Sequence, residues 1–284
     1  MRNVTVKLMG GLGNQMFQYA AGYKVAKRLG SKITFDTNFL EDRTTGVVYR
    51  DFDLSIFKNI DNDTSNSPDQ YRGKFIINEE KFPIILNNRL LDQIDQDIYI
   101  DGFFQRHNLV DESLKDIFVF SDYESDGCVE IDESAKLSNS LMINVRRADY
   151  ISRKNANLFH GVLEMNYFKS AINKIPFKCD RIFVFSDDVE WCYTNFSNTK
   201  NVKVVDHNLA GYKFKDYLQM MSKFSNMIIP NSSFAWWAAW LADSNGLAQN
   251  IIAPGESLWF SGAPGKSVGL IPENWKTLEK GELL

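Results

Sequence analysis

Val4-Thr5-Val6-Lys7-Leu8-Met9-Gly10-Gly11-Leu12-Gly13-Asn14-Gln15-Met16-Phe17 is the stretch on which the fold class turns. Val4, Val6 and Leu8 alternate with Thr5 and Lys7, the period of two that a strand requires. Gly10, Gly11 and Gly13 break that run. Beyond them Met16, Phe17, Ala20, Tyr23, Ala26 and Leu29 recur at helical spacing, and Gly30 supplies a stop. Ile33-Thr34-Phe35-Asp36 then reads as a second short strand. Strand, glycine turn, helix and strand form a βαβ unit. Such a unit joins parallel strands, so the chain is expected to be an α/β protein with a parallel sheet.

The same alternation returns in the second half. Leu141-Met142-Ile143-Asn144-Val145 predicts a buried strand and Met165–Ile175 a helix. Arg181–Phe185 predicts a strand ending in Ser186-Asp187-Asp188. Val202–Val205, Asn226–Ile229 and, last, Ile251–Ala253 predict further strands; Asp216–Phe224 and Phe234–Leu241 predict helices. Between the halves, Ile98–Phe104 reads as a strand and Asn108–Phe118 as a helix, while Asp61–Asp69 is polar enough for a surface loop. The acidic stretch Ser121–Ser140, with Gly127, reads as a linker or hinge. Two α/β domains are expected, 1–135 and 136–284.

Composition narrows the classes. The 284 residues are 44% hydrophobic and 24% charged, as expected of a soluble globular protein. A formal net charge of −4 gives no global pull toward nucleic acid or an anionic membrane. The longest fully apolar run, Phe234–Ala242, is nine residues against the roughly 20 of a spanning helix, so no transmembrane segment is expected. The N-terminus does not read as a signal peptide. Cys128, Cys179 and Cys192 are odd in number and form no Cys-x-x-Cys, and His107, His160 and His207 are scattered. Neither a disulfide framework nor a zinc site is expected, and a cytoplasmic location fits best.

Four constellations carry possible chemistry. The turn Gly10–Gln15 opens a helix, where backbone amides favour a phosphate or other anion. A ligand-free tight turn is its plain alternative. A dinucleotide fingerprint is a rival: Gly11-x-Gly13 fits and Asp36 follows 25 residues after Gly11, but Met16 stands where a third glycine belongs. Second, Arg146-Arg147-Ala148-Asp149 leaves an apolar strand at its carboxyl end, where α/β sheets bind ligands. Arginine suits diphosphate through planar, permanently charged donors. A surface ion pair is the alternative. Side chains adjacent on a strand diverge, so one arginine is expected to face a diphosphate and the other Asp149 or the core.

Third, Asn231-Ser232-Ser233-Phe234 follows a strand and starts a helix, with Ser232 or Ser233 as N-cap and a second phosphate site. Phe234 is placed against a base or sugar, while the tryptophans beyond it read as core. Fourth, Asp187 can accept hydrogen bonds from a guanine edge or ribose, or hold a metal. Asp51-Phe52-Asp53, Asp61-Asn62-Asp63 and Asp95-Gln96-Asp97 match the Asp-x-Asp of metal-dependent sugar transferases. With 23 aspartates, roughly two matches are expected by chance, so they carry little weight. No Walker A or His-Glu-x-x-His motif occurs.

Taken together the chain resembles the α-1,2-fucosyltransferases of glycosyltransferase family 11. The resemblance rests on Gly10–Ala20, Val145–Tyr150, His160-Gly161-Val162 with Tyr167, Phe185–Asp188 and Asn231–Trp237. It implies a GT-B fold, two Rossmann-like domains facing across a cleft, with the N-terminal domain on the acceptor side. It implies GDP-fucose as donor, held mainly by the C-terminal domain, with no cofactor or divalent metal. Inversion would yield an α-1,2-linked fucose on a terminal galactose of an oligosaccharide or lipid-linked glycan. Any membrane association would be peripheral, at the inner face. The implied donor-binding residues are Gly11, Gly13, Asn14, Gln15, Asp187, Ser232, Ser233 and Phe234. Arg146 and Arg147 would neutralise the leaving diphosphate.

Asn144 stands where the family usually has histidine, and an amide cannot take a proton near neutral pH. Asp149 is then the first candidate base and His160 the second. The rival classes are an NAD-dependent oxidoreductase and a non-catalytic nucleotide-sugar or glycan-binding protein.

Overall fold

The computed structural model of the chain describes residues 2–42, 50–67, 69–263 and 265–284. Contacts divide it into two compact units, one ending at Ser121 and the other beginning at Asp122.

The first unit holds β1 (Val4–Lys7), β2 (Ile33–Asp36), β3 (Thr64–Ser65), β4 (Phe75–Asn78) and β5 (Ile98–Asp101), in the order β3-β2-β1-β5-β4 and parallel throughout. Val4, Thr5 and Val6 on the central strand are all buried, since helices cover both faces of a parallel sheet. The helix Leu12–Leu29 ends as the sequence predicts, at Gly30 in the left-handed conformation, with Lys27 and Arg28 complementing its last turn. Gly22 matters here: a Cβ would lie 2.3 Å from Val6 Cγ2, so the helix packs closer to β1 than alanine permits.

Two expectations in this unit are corrected. The loop at Asp61–Asp69 contains β3, a two-residue edge strand too short to show any periodicity. The helix expected at Asn108–Phe118 is two 3₁₀ turns, His107–Leu109 and Glu112–Asp116. The Asp111 carboxylate accepts the Ser113 N–H between them, starting the second turn at the cost of a continuous helix. β4, at the opposite edge of the sheet, pairs with β5. Pro68, within the expected loop, and residues 43–49 lie outside the described residues.

The second unit holds β6 (Ser140–Val145), β7 (Arg181–Ser186), β8 (Val202–Val204), β9 (Asn226–Ile228), β10 (Asn250–Pro254) and β11 (Lys276–Leu278), in the order β11-β10-β9-β6-β7-β8, again all parallel. Ile251–Ala253 is therefore not the last strand, because β11 adds an edge to it. β6 is central and buried along its whole length. The chain winds outward from β6 to β8, then returns to lay β9 against the other side of β6. Strand order reverses between β6 and β9, and ligands of open α/β sheets bind beyond the carboxyl ends at such a switch point.

The expected linker is a helix, Asp126–Ala135, and it belongs to the second unit, so the division lies before the expected boundary of 135/136. Ser125 caps it through the Gly127 N–H. Cys128, Ile131 and Ala135 are buried, while Glu130 and Glu133 are exposed. The acidic composition that suggested a linker is the solvent face of an amphipathic helix. The last long helix, Ser233–Ser244, buries Trp236, Trp237 and Trp240 as core, with Trp236 Nε1 donating to the Leu270 carbonyl at 3.0 Å.

Candidate active site

The end of β6 delivers Arg146 and Arg147 to the switch point. Arg146 Nη2 lies 2.6 Å from Asp149 Oδ1, Nη1 lies 2.7 Å from Asp187 Oδ2, and the guanidinium sits over the Tyr150 ring at 5.4 Å. Burial works against its charge, but Asp187 and Asp149 outweigh it and hold the pKa above the ordinary arginine value. The side chain remains 27% exposed. It is a permanent cation fixed in direction and partly open to solvent.

Arg147 is of a different kind. Its side chain is 8% exposed, lies 4.1 Å from the Trp191 ring, and pairs with Glu164 at 3.0 Å and Asp188 at 3.6 Å. The expected divergence therefore holds, with Arg147 on the core side. Asp149 pairs with Arg146, however, and not with the inward arginine. Asp187, expected to meet a guanine edge or ribose, gives Oδ2 to Arg146 and accepts the Arg147 N–H at Oδ1 (2.8 Å). A carboxylate that meets both arginines orients the cation.

Residues distant in sequence converge beside this pair. The Tyr150 ring stacks on His160 (4.5 Å between centroids, 4° between planes), and its hydroxyl donates to the Asn231 carbonyl at 3.0 Å. The buried Asn231 side chain donates through Nδ2 to the carbonyls of His160 (2.9 Å), Gly161 (3.2 Å) and Trp259 (3.2 Å). Tyr167 OH donates to the Ile229 carbonyl at 2.6 Å. The loop after β9 is thus tied to the end of β6. Ser232 is the N-cap of the helix Ser233–Ser244 by backbone conformation, but its hydroxyl makes no capping bond, and the first turn carries no acidic residue. The positive end of this helix is left for another anion. Ser233 and Phe234 are half-buried in that first turn.

The base candidates fare differently from expectation. Asp149 is committed to Arg146. Burial pushes the His160 pKa down to about 4, and Nδ1 is buried without a partner, so the ring is neutral and weakly basic. Asn144 is a strand residue whose Nδ2 donates to the Phe185 carbonyl at 3.1 Å, tying β6 to β7. The cluster suits a leaving group better than a proton acceptor.

The buried histidine sets a pH dependence. A depressed folded pKa means the unfolded chain takes up the proton first, so stability is complete above about 6.5 and is lost as pH falls toward 4. His160→Phe keeps the ring stack and is expected to show a flatter melting-temperature profile than wild type between pH 6.5 and 4. Parallel profiles would place the acid sensitivity elsewhere.

Gly11, Gly13, Asn14 and Gln15 stand at the carboxyl end of β1 in the first unit. Gly10 is left-handed (φ 74°), and a Cβ on it would lie 2.4 Å from Asn14 Nδ2. Asn14 Oδ1 accepts from Gln105 Nε2 at 2.8 Å. The Leu12–Leu29 helix starts without a side-chain cap or an acidic first turn. Gln15 is not a donor ligand here: it is fully buried, Nε2 donates to the Gly10 and Asp51 carbonyls, and Oε1 accepts the Asp53 N–H. Asp36 is likewise engaged, accepting from the buried Tyr99 hydroxyl and from the Asn38 N–H, and it is itself buried, so it is not open to a dinucleotide ribose. Among the described residues no group of three His, Cys, Asp or Glu is gathered as for a metal.

Sequence reasoning quoted Tyr150 and Asn231 without giving them a role. The Arg146-to-Tyr150 spacing of four, with a short helix at Ala148–Ser152, was the available signal for the first. Glu164 and Trp191 around Arg147 left none, since only the tertiary fold brings them there.

Comparison with known proteins agrees with the motifs. An α-1,2-colitosyltransferase of Escherichia coli is 31% identical over 304 residues, covering 99% of this chain and 100% of its own. The O-antigen biosynthesis glycosyltransferase WbnK of Escherichia coli is 29% identical over 289 residues, covering 90% and 94%. Among solved structures, POFUT1 in complex with GDP is similar with a TM-score of 0.52 at 11% identity, over 89% of this chain and 97% of that one. NodZ α-1,6-fucosyltransferase soaked with GDP-fucose gives 0.50 at 15% identity, over 93% and 97%. The fold is accordingly of the GT-B type, built from two Rossmann-like parallel-sheet units. No described helix is long and apolar enough to cross a membrane. The model of glycosyl transferase family 11 matches residues 1–254, and with these relatives it shows that the chain is a glycosyltransferase belonging to that family.

Proposed function

We propose that the protein transfers fucose from GDP-fucose to the 2-hydroxyl of a terminal galactose, with inversion, on an oligosaccharide or lipid-linked glycan. The observation that carries this reading is Arg146, held between Asp149 and Asp187 at the β6/β9 switch point, in a unit whose Ser232 helix start is uncapped. In the reaction the bond from fucose C1 to the β-phosphate oxygen breaks and negative charge gathers on the diphosphate. The acceptor oxygen bonds to C1 from the opposite face and its hydroxyl proton is released. Fixed cations and helix-start amides stabilise the charge where it develops, without reorganising. Asp187 and Asp149 keep Arg146 aimed, and Tyr150 and Asn231 tie that arginine's strand to the loop before the helix.

The α-1,2 linkage and a GDP-linked donor are supported by the resemblance of the chain to an α-1,2-colitosyltransferase and to structures bound to GDP and GDP-fucose. The same relative favours a second donor, a GDP-linked colitose, which lacks the 3-hydroxyl of fucose. Parallel assays with GDP-fucose and GDP-colitose on galactose-terminated acceptors, with the linkage read by NMR, separate the two. Transfer from neither donor would overturn the reading.

Because arginine and helix amides carry the leaving-group charge in this proposal, neither cofactor nor divalent metal is needed. Turnover and calorimetric GDP binding are expected to survive excess chelator. Loss of turnover in chelator, restored by Mn²⁺, would show that a metal carries that charge.

A further inference from the structure

The segment between β8 and the helix Lys215–Met221 inverts the usual distribution of side chains. Lys215 and Asp216 are buried and paired at 3.1 Å. Lys215 Nζ also donates to the Asp122 carbonyl at 2.8 Å, and Asp216 Oδ2 accepts the Glu124 N–H at 3.0 Å. Tyr212 and Phe214, immediately before them, are 59% and 49% exposed. The backbone is strained at the same place: Lys213 and Phe214 both have left-handed φ, 51° and 61°. That conformation is rare for a side chain as bulky as phenylalanine, and such strain concentrates at ligand sites.

The position of the ring gives the strain a use. His207 Nε2 is 2.8 Å from the carbonyl of Ser186, the residue before Asp187, which in turn holds Arg146. The His207 ring stands 6.2 Å from Phe214 at 80°. Tyr217, 6.1 Å from Phe214, is buried with its hydroxyl donating to the Val205 carbonyl at 2.7 Å. Phe214 is therefore a half-exposed aromatic face on a rigid support, reached from the Arg146 cation through one carboxylate, one strand end and one ring.

We infer that Phe214 is the stacking platform for the nucleobase of the nucleoside-diphosphate donor, a role that rests on the donor chemistry proposed above. Aromatic–base stacking accepts any π-face, so Phe214 contributes affinity and leaves the choice of base to other groups.

The test is calorimetric GDP binding by the full chain in wild type, Phe214→Ala, Phe214→Gly and Phe214→Tyr. Alanine and glycine are expected to weaken GDP about tenfold or more, as loss of one stacked base does, and tyrosine to stay within about threefold. Glycine adopts the left-handed conformation without strain, which offsets part of the ring packing lost against His207 and Tyr217, so Phe214→Gly is expected to melt no lower than Phe214→Ala, which keeps the fold out of question. GDP affinity unchanged in the alanine and glycine variants overturns the platform. So does an equal loss in all three, tyrosine included, which marks a structural role. Failure of wild type to bind GDP at all would instead overturn the donor reading on which the platform depends.

Discussion

Arg146→Ala is expected to lower kcat by about 10²–10³-fold, the cost of removing one preorganised group that stabilises a developing anion. Its guanidinium is already aimed by Asp149 and Asp187, so none of its positioning has to occur during the reaction. Alanine also releases those two carboxylates, which then add repulsion toward a diphosphate. The melting temperature should fall less than in Arg147→Ala, because the Arg146 side chain is partly exposed and Asp187 keeps the Arg147 N–H. Asp149→Asn then separates an orienter from a base. If Asp149 acts through Arg146, GDP affinity and kcat fall together. A tenfold fall in kcat with GDP affinity held within about threefold would return Asp149 to the role of base, at the strength typical of lost base catalysis. Steady-state kinetics with calorimetry on the two variants checks both outcomes. Near-wild-type turnover in Arg146→Ala would remove the arginine from the mechanism.

Arg147→Ala is expected to act on the fold. It removes the stack on Trp191 and the pairs with Glu164 and Asp188. Breaking a fully buried pair costs about 3–5 kcal/mol, but Glu164 is well exposed, so about 2–3 kcal/mol is the better expectation. At roughly 2–4 °C per kcal/mol for a unit of this size, the melting temperature should drop by about 5–10 °C. Residual turnover per folded molecule, measured well below that temperature, should stay within a few-fold of wild type. A variant that melts like wild type yet loses GDP affinity would move Arg147 to the diphosphate.

The elements that were legible in sequence share one property: their apolar pattern is long enough to repeat. Val4–Lys7, the Leu12–Leu29 helix, Ser140–Val145 and the tryptophan helix all lie where their periodicity places them. The misreadings are short or composite. β3 has two residues, the 107–116 stretch alternates turns with an Asp cap, and the acidic face of Asp126–Ala135 imitates a linker. Periodicity cannot report on elements that do not exceed about one repeat, and composition cannot tell a solvated helix face from a loop.

Local chemistry of the site was legible for the same reason. A charged pair at the end of an apolar strand, and small polar residues at a helix start, are local statements, and the structure places Arg146, Arg147 and Ser232 accordingly. The chain by itself determined the parallel α/β class, the strand-end positions of the arginines and the absence of a protonatable group at Asn144. Only the tertiary structure decided how those groups are used. Asp187 comes to both arginines from the neighbouring strand, Trp191 and Glu164 reach Arg147 from later elements, and Asn231 joins the Ser232 loop to His160. Those partners lie up to some 70 residues away in sequence, and a hydrogen bond or ion pair depends on distances of a few ångströms that the winding order of the sheet sets. Residue identity supplies the donors and acceptors; the order β9-β6-β7 determines which of them meet.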